Sequence, residues 1–165
     1  MTKARQAGPL FGALLLVWIL LHGSLQWQVV VVGVVVAAII ALLFSGAATP
    51  LHGFRRTQAG LRAAFGYLGY FFVELVRANL KLAVIILSPS LPIRPGIVKV
   101  RTRLTNPVAR LLLANSITLT PGTLSVALEG EWLYVHWVTV VSDEVEEATA
   151  EIVAGFERYL EVMYG

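Results

Sequence analysis

The chain has 165 residues, 57% of them hydrophobic and 14% charged, with a mean hydropathy of +0.75 and no cysteine. Soluble domains carry about 25% charged residues, so this composition excludes a wholly soluble or disordered chain, and the missing cysteine excludes a disulfide scaffold. Residues 1–110 hold twelve of the thirteen Lys and Arg and one acid, Glu74, for +11, whereas residues 111–165 hold nine acids and one cation, Arg158, for −8. That split suits a membrane-facing basic section followed by an acidic terminal helix, and not a nucleic-acid reader with a basic stripe on a folded domain.

No Lys, Arg, Asp or Glu occurs from Gln6 to Phe54, and residues 9–45 are nearly all apolar. A cleaved signal carries only about 7–15 apolar residues, so this run stays in the membrane. As one helix it would extend roughly 55 Å, against about 30 Å of hydrocarbon. The polar break Gly23-Ser-Leu-Gln-Trp-Gln28 therefore predicts a membrane α-helical hairpin of residues 9–22 and 29–45. Both arms are short enough to need neighbours or a thinned bilayer. Trp18 and Trp27 read either as interface anchors or as packing.

Residues 61–87 predict a third helix, amphipathic or membrane-inserted, because Glu74, Arg77, Asn79 and Lys81 sit in its middle. At 100° per residue Tyr67, Tyr70, Glu74, Arg77 and Lys81 share one face. Each central charge opposes a lone crossing by about 2.5–3.5 kcal/mol, so the stripe faces protein or the helix lies along the interface. Glu74 and Arg77, three residues apart, read equally as a self-satisfied pair and as a contact for another subunit's charges. Lys3 and Arg5, then Arg55, Arg56 and Arg62, then Arg94, Lys99, Arg101 and Arg103 all favour the cytoplasmic side. An even number of crossings and a cytoplasmic C-terminal domain satisfy them, with two against three passes left open.

Pro89, Pro92, Pro95 and Gly96 make residues 89–96 a stiff linker that closes the membrane section, residues 1–88. Residues 97–104 alternate as a half-buried strand, with Lys99, Arg101 and Arg103 opposite Val98, Val100 and Leu104. Those cations are either solvated, or meet anionic lipid at about 1 kcal/mol each, or meet a partner's acids. Asn106-Pro107 opens a helix through about Ser116, which 119–123 stops. Strands 124–129 and 132–140 form a hairpin about Gly130, apolar enough on both faces to be covered. Ser142 caps a last helix whose first turns carry Asp143, Glu144, Glu146 and Glu147 at the positive end of its dipole. The order β-α-β-β-α predicts a small α+β domain over residues 97–165, with two helices on a three-stranded sheet.

Catalytic constellations are absent from the sequence. Asp143 is the single aspartate and starts a helix; His22, His52 and His136 lack metal-ligand spacing; no phosphate loop, GxSxG or HExxH occurs. The expectation is a non-enzyme without cofactor, metal or small-molecule substrate. Two short helices and one polar stripe do not enclose an ion path, which leaves a component of something larger.

The run Leu113-Ala-Asn-Ser-Ile-Thr-Leu-Thr-Pro-Gly-Thr123, with Glu74-Leu-Val-Arg-Ala-Asn79 and Arg94-Pro-Gly-Ile-Val98 before it and Leu133-Tyr-Val-His136 after it, resembles the E subunit of Mrp/Mnh-type multisubunit sodium/proton antiporters. The resemblance covers the whole chain in length and segment order, although the N-terminal hairpin matches only in being apolar. It implies a multi-pass subunit of a bacterial cytoplasmic-membrane complex of several hydrophobic subunits, related to respiratory complex I, exchanging Na⁺ for H⁺. It further implies a role in assembly and activity rather than as the main proton channel. The residues it marks are Asn115, Thr118, Thr120, Pro121, Gly122 and Thr123, with Glu74, Asn79, Pro95 and Gly96. Pro121-Gly122 suits a type II turn, and its neighbours serve either folding or the docking of another subunit. The alternative is a stand-alone membrane anchor whose α+β domain recruits a soluble partner.

Overall fold

A computed structural model describes residues 3–44, with side chains from Ala7 onward, and residues 53–165. The chain divides into two compact units, 1–51 and 52–165.

In the first unit α1 (Lys3–His22) and α2 (Trp27–Leu43) pack as a hairpin. The first helix begins earlier than the expected residue 9 and runs through Pro9, while α2 starts two residues before the expected 29. The end of the second arm at Ser45 lies outside the described residues, as does His52. Ala7, Ala37 and Ala41 are buried, so small residues allow the two backbones to approach. Trp18 settles its own alternatives by packing: its Nε1 donates to the Val29 carbonyl at 3.0 Å and its ring lies on Gly33. Trp27 is exposed. Among the described residues no helix is both long and apolar enough to cross a membrane. Apolar α2 has 17 residues, about 25 Å at 1.5 Å per residue, and the 30-residue α3 of the second unit carries Arg62, Glu74, Arg77 and Lys81.

The second unit holds α3 (Gln58–Leu87), β1 (Gly96–Arg101), α4 (Pro107–Leu119), β2 (Thr123–Glu129), β3 (Trp132–Trp137), α5 (Val145–Ile152) and α6 (Ala154–Tyr164). Thr57 caps α3 by accepting from Gly60 N–H at 3.1 Å, and Asn106 caps α4 by accepting from Val108 and Ala109, ahead of Pro107 in the first turn. The sheet is antiparallel with order β1-β3-β2, so β3 is central. Alternation places Val98, Val100, Leu133, Val135 and Trp137 in the core against Leu113, Ile117, Ile152, Phe156 and Leu160 of the helices.

Four expectations need correction. The final helix is two, α5 and α6, interrupted at Val153. The interruption adjoins Gly155, whose missing side chain leaves the space that Tyr70 of α3 occupies. Ser142 does not cap this helix directly: its hydroxyl accepts from Glu144 N–H at 3.2 Å, one turn ahead of Val145. The hairpin is buried on one face only, since Leu124, Val126 and Leu128 of β2 are exposed. Finally, α3 groups with the sheet and not with the apolar hairpin, because its packed face runs from Gly60 and Ala63 through Tyr67 and Tyr70 onto α6 and the core.

Candidate interaction site

Helix α3 is amphipathic in an inverted sense. Its polar stripe turns inward toward the α+β unit, and its outer face is a continuous apolar ridge of Leu61, Phe65, Leu68, Phe72, Val76, Leu80, Val84 and Leu87, all at least half exposed. Glycine and tyrosine hold the inner face on α6 in two reciprocal contacts. Tyr70 sits against Gly155, and a Cβ built at Gly66 would lie 2.8 Å from the Tyr159 ring. Tyr70 also meets Phe156 edge-on, with centroids 5.1 Å apart, and lies under the Arg158 guanidinium at 5.1 Å. Tyr67 hydrogen-bonds Ser116 of α4.

Beyond these contacts α3 diverges from the core and leaves a cavity of ≈ 130 Å³. Glu74, Arg77 and Lys81 line it from α3, and Thr120, Pro121, Gly122 and Thr123 line it from the turn between α4 and β2. Two stretches some forty residues apart in sequence, the stripe and the motif, thus meet at one place. Glu74 is mostly covered, with 19% of its side chain exposed, and pairs with Arg77 Nη1 at 2.7 Å; Arg77 is 70% exposed. Lys81 has no ion-pair partner within 4.0 Å among the described residues. Asn79 is not part of this group: it is exposed on the far side of the helix, where its Nδ2 donates to the Leu75 carbonyl at 2.7 Å.

The turn is closed by Thr123 N–H donating to the Thr120 carbonyl at 3.2 Å, with Gly122 at φ +95°, the left-handed value that a type II turn requires. The threonine hydroxyls of the turn are engaged on the end of α4. Thr120 Oγ1 donates to the Ser116 carbonyl at 2.8 Å, and Thr123 Oγ1 contacts the carbonyls of Ile117 at 2.6 Å and Thr120 at 3.0 Å. Thr118 Oγ1 accepts from Ser125 N–H at 3.1 Å. The bonds of Thr120 and Thr123 satisfy carbonyls that a helix end releases, and that of Thr118 ties the helix to β2. Asn115 is exposed and makes no side-chain hydrogen bond with a described residue. Pro95 is exposed, and Gly96 opens β1 with its backbone close to Val140.

Sequence reasoning left several lining residues aside: Trp137, Thr139, Glu151 and Phe156. Trp137 was readable from strand alternation, whereas Glu151 and Phe156 reach the cavity only through the fold of α5 and α6. The three cations predicted on the β1 face are held by protein. Lys99 Nζ lies 4.0 Å above Trp132, Arg101 forks onto Glu131 Oε2 at 2.8 and 3.0 Å, and Arg103 Nε lies 3.7 Å from buried Glu157. Glu157 also accepts from Thr102 Oγ1 at 2.5 Å and Arg103 N–H at 2.7 Å. Near the C-terminus, burial first and the neighbouring Tyr67 second push the Tyr164 phenol above its ordinary range. Among the described residues no group of three or more His, Asp or Glu is placed to hold a metal.

A family model described as a Na+/H+ ion antiporter subunit matches residues 11–163. The E subunit of the Na(+)/H(+) antiporter of Alkalihalophilus pseudofirmus is 42% identical over 79 residues, 47% of this chain and 50% of that one, so the chain matches about half the length of that relative. The E1 subunit of the Na(+)/H(+) antiporter of Staphylococcus haemolyticus is 32% identical over 79% of this chain and 80% of its own. A chain of the membrane-bound sulfane sulfur reductase, an archaeal respiratory membrane complex, superposes with a TM-score of 0.78 at 36% identity, covering 95% of this chain and 98% of that one.

Proposed function

The chain belongs to the E-type family of Na+/H+ antiporter subunits of the Mrp/Mnh type, and we propose from that membership that it is a non-catalytic, accessory component of a bacterial multisubunit cation/proton antiporter. The observation that carries this reading is the inverted α3. Its tyrosines pack on its own α+β unit, its charges line a cavity against that unit, and its apolar ridge is exposed among the described residues. Such a ridge is stable only against lipid or the apolar flanks of other subunits. The largely apolar α1–α2 hairpin has the same need, and its short arms are accommodated by neighbouring helices or a thinned bilayer. In this assignment the hairpin is membrane-embedded, α3 lies along the cytoplasmic interface, and residues 97–165 form a cytoplasmic domain. That arrangement meets the positive-inside preference of all three basic clusters.

Residues Thr118, Thr120, Pro121, Gly122 and Thr123 serve the complex by holding the end of α4 to the start of β2, while Glu74, Arg77 and Lys81 face the same cavity and bind what docks there. Asn115 and Asn79, exposed and without long-range hydrogen bonds among the described residues, are proposed contacts for other subunits. Purification in mild detergent with mass spectrometry of co-eluting chains tests the reading: several large hydrophobic partners are expected, and recovery of the chain alone or with a soluble protein would favour the stand-alone anchor. A reporter active only in the periplasm, fused after Gly165, should be silent. The likeness to a chain of a sulfur-reducing respiratory complex favours a second reading, the same kind of subunit serving a redox-linked membrane complex, which redox-cofactor proteins among the co-eluting chains would reveal.

A further inference from the structure

The cavity between α3 and the α4–β2 turn has two chemically different ends. Its wall is apolar, built from Leu82, Ile85, Ile117, Trp137, Ile152 and Phe156, and its rim carries Arg77, Lys81 and Glu151. Of the threonines on the wall, Thr120 and Thr123 spend their hydroxyls on helix carbonyls, and Thr139 adds one polar group among the apolar side chains. Arg77 is held by Glu74, whereas Lys81 is exposed and lacks an ionic partner among the described residues. A ligand matched to both ends has an apolar chain and an anionic head. A soluble anion would leave the apolar wall empty, and an apolar side chain from another protein would leave Lys81 unpaired.

We propose that this cavity binds a phospholipid, with acyl methylene groups among Ile85, Ile117, Trp137 and Phe156 and the phosphate on Lys81. The inference rests on the reading of α3 as a membrane-apposed helix. Leu80 and Val84, 64% and 69% exposed, flank Lys81 in sequence and place the apolar ridge beside the rim, so lipid is the amphiphile at the mouth. The lipid bridges the ridge and the turn, which gives the 113–123 motif an occupant to enclose besides its own helix end.

The test is photolabelling of the full chain, purified in mild detergent with its co-eluting subunits, by a phosphatidylglycerol bearing a diazirine on its acyl chain. Adducts are expected on peptides holding Ile117, Trp137 or Phe156, as well as at Leu80 and Val84. Ala78→Phe fills the cavity from α3 and should abolish the first set while retaining the second, and retention of the second set certifies that α3 stays seated. Lys81→Gln, at an exposed position that threatens no packing, should weaken cavity labelling about fivefold, the loss of one cation–phosphate contact. Unlabelled phosphatidylglycerol should compete and inorganic phosphate should not. Adducts on the outer ridge alone, or displacement by inorganic phosphate, overturn the lipid site and leave the membrane apposition of α3 standing. Absence of adducts on both faces overturns both.

Discussion

Replacing Gly155 by Ala has opposite effects depending on what stands at position 70. Alanine is the better helix former by about 0.5–1 kcal/mol, so on an unobstructed surface of α6 the change stabilises. Here the new methyl group would enter the space held by the Tyr70 ring and hydroxyl. That ring cannot simply swing away, because Phe156 meets it edge-on at 5.1 Å, Tyr159 lies at 5.7 Å and Arg158 stacks over it. Overpacking of this kind costs about 1–3 kcal/mol, which exceeds the propensity gain, so Gly155→Ala should destabilise by about 0.5–2 kcal/mol. In a Tyr70→Ala background the obstruction is gone, and the same change should stabilise by up to about 1 kcal/mol. The cycle therefore predicts a coupling of about 1.5–3 kcal/mol, read from urea unfolding of the full chain in mild detergent followed by tryptophan fluorescence. Additivity within about 0.5 kcal/mol, or stabilisation by Gly155→Ala with Tyr70 present, would refute the seating of α3 on α6.

Glu157→Leu removes the acceptor of a buried hydrogen bond from Thr102 Oγ1 and a partly buried one from Arg103 N–H, and should cost about 3–5 kcal/mol in the same unfolding assay, with Glu157→Gln near half of that; an unchanged midpoint for the leucine variant would contradict the assigned contacts. Gly122→Val should cost about 1–3 kcal/mol, since a β-branched residue is forced to φ +95°, and cation/proton exchange in everted vesicles should fall with it. Thr120→Val keeps that backbone and deletes one hydroxyl on the Ser116 carbonyl, so complex recovery and exchange should fall together; normal assembly with abolished exchange would place the segment on the ion path instead. Glu74→Gln releases Arg77 at the cavity rim and should lower recovery of the complex with a stability change below about 1 kcal/mol, because half of that pair is solvated; unaffected recovery and exchange would favour a merely solvated stripe.

Local chemistry was legible wherever it acts over a few residues. Asn106-Pro107 announces the start of α4 and Pro121-Gly122 its end; the alternation of 97–104 announces both the buried side of β1 and its cationic side; the apolar run broken at Gly23 announces a helical hairpin. These signals are readable because caps, turns and the two-residue strand period are properties of adjacent residues. The composition likewise determined that large apolar surfaces need a partner, and the 113–123 stretch determined the family.

Tertiary structure alone decided what those elements face. The stripe of α3 is the same set of residues whether it meets water, lipid or protein, and nothing within 61–87 chooses; the choice is made by glycines at 66 and 155, which let tyrosines from opposite helices reach each other's backbone. The last helix is split two residues from that contact, and Glu74 and Lys81 meet the Thr120–Thr123 turn although neither stretch carries a local signal for the other. The cations of 97–104 read as outward charges in sequence, yet Trp132 of β3, Glu131 of the turn before it and Glu157 of α6 engage them. Sequence spacing determines which side chains share a face, whereas the packing of distant segments determines which face is inside, because burial is a property of the assembled surface and not of the strand or helix that carries it.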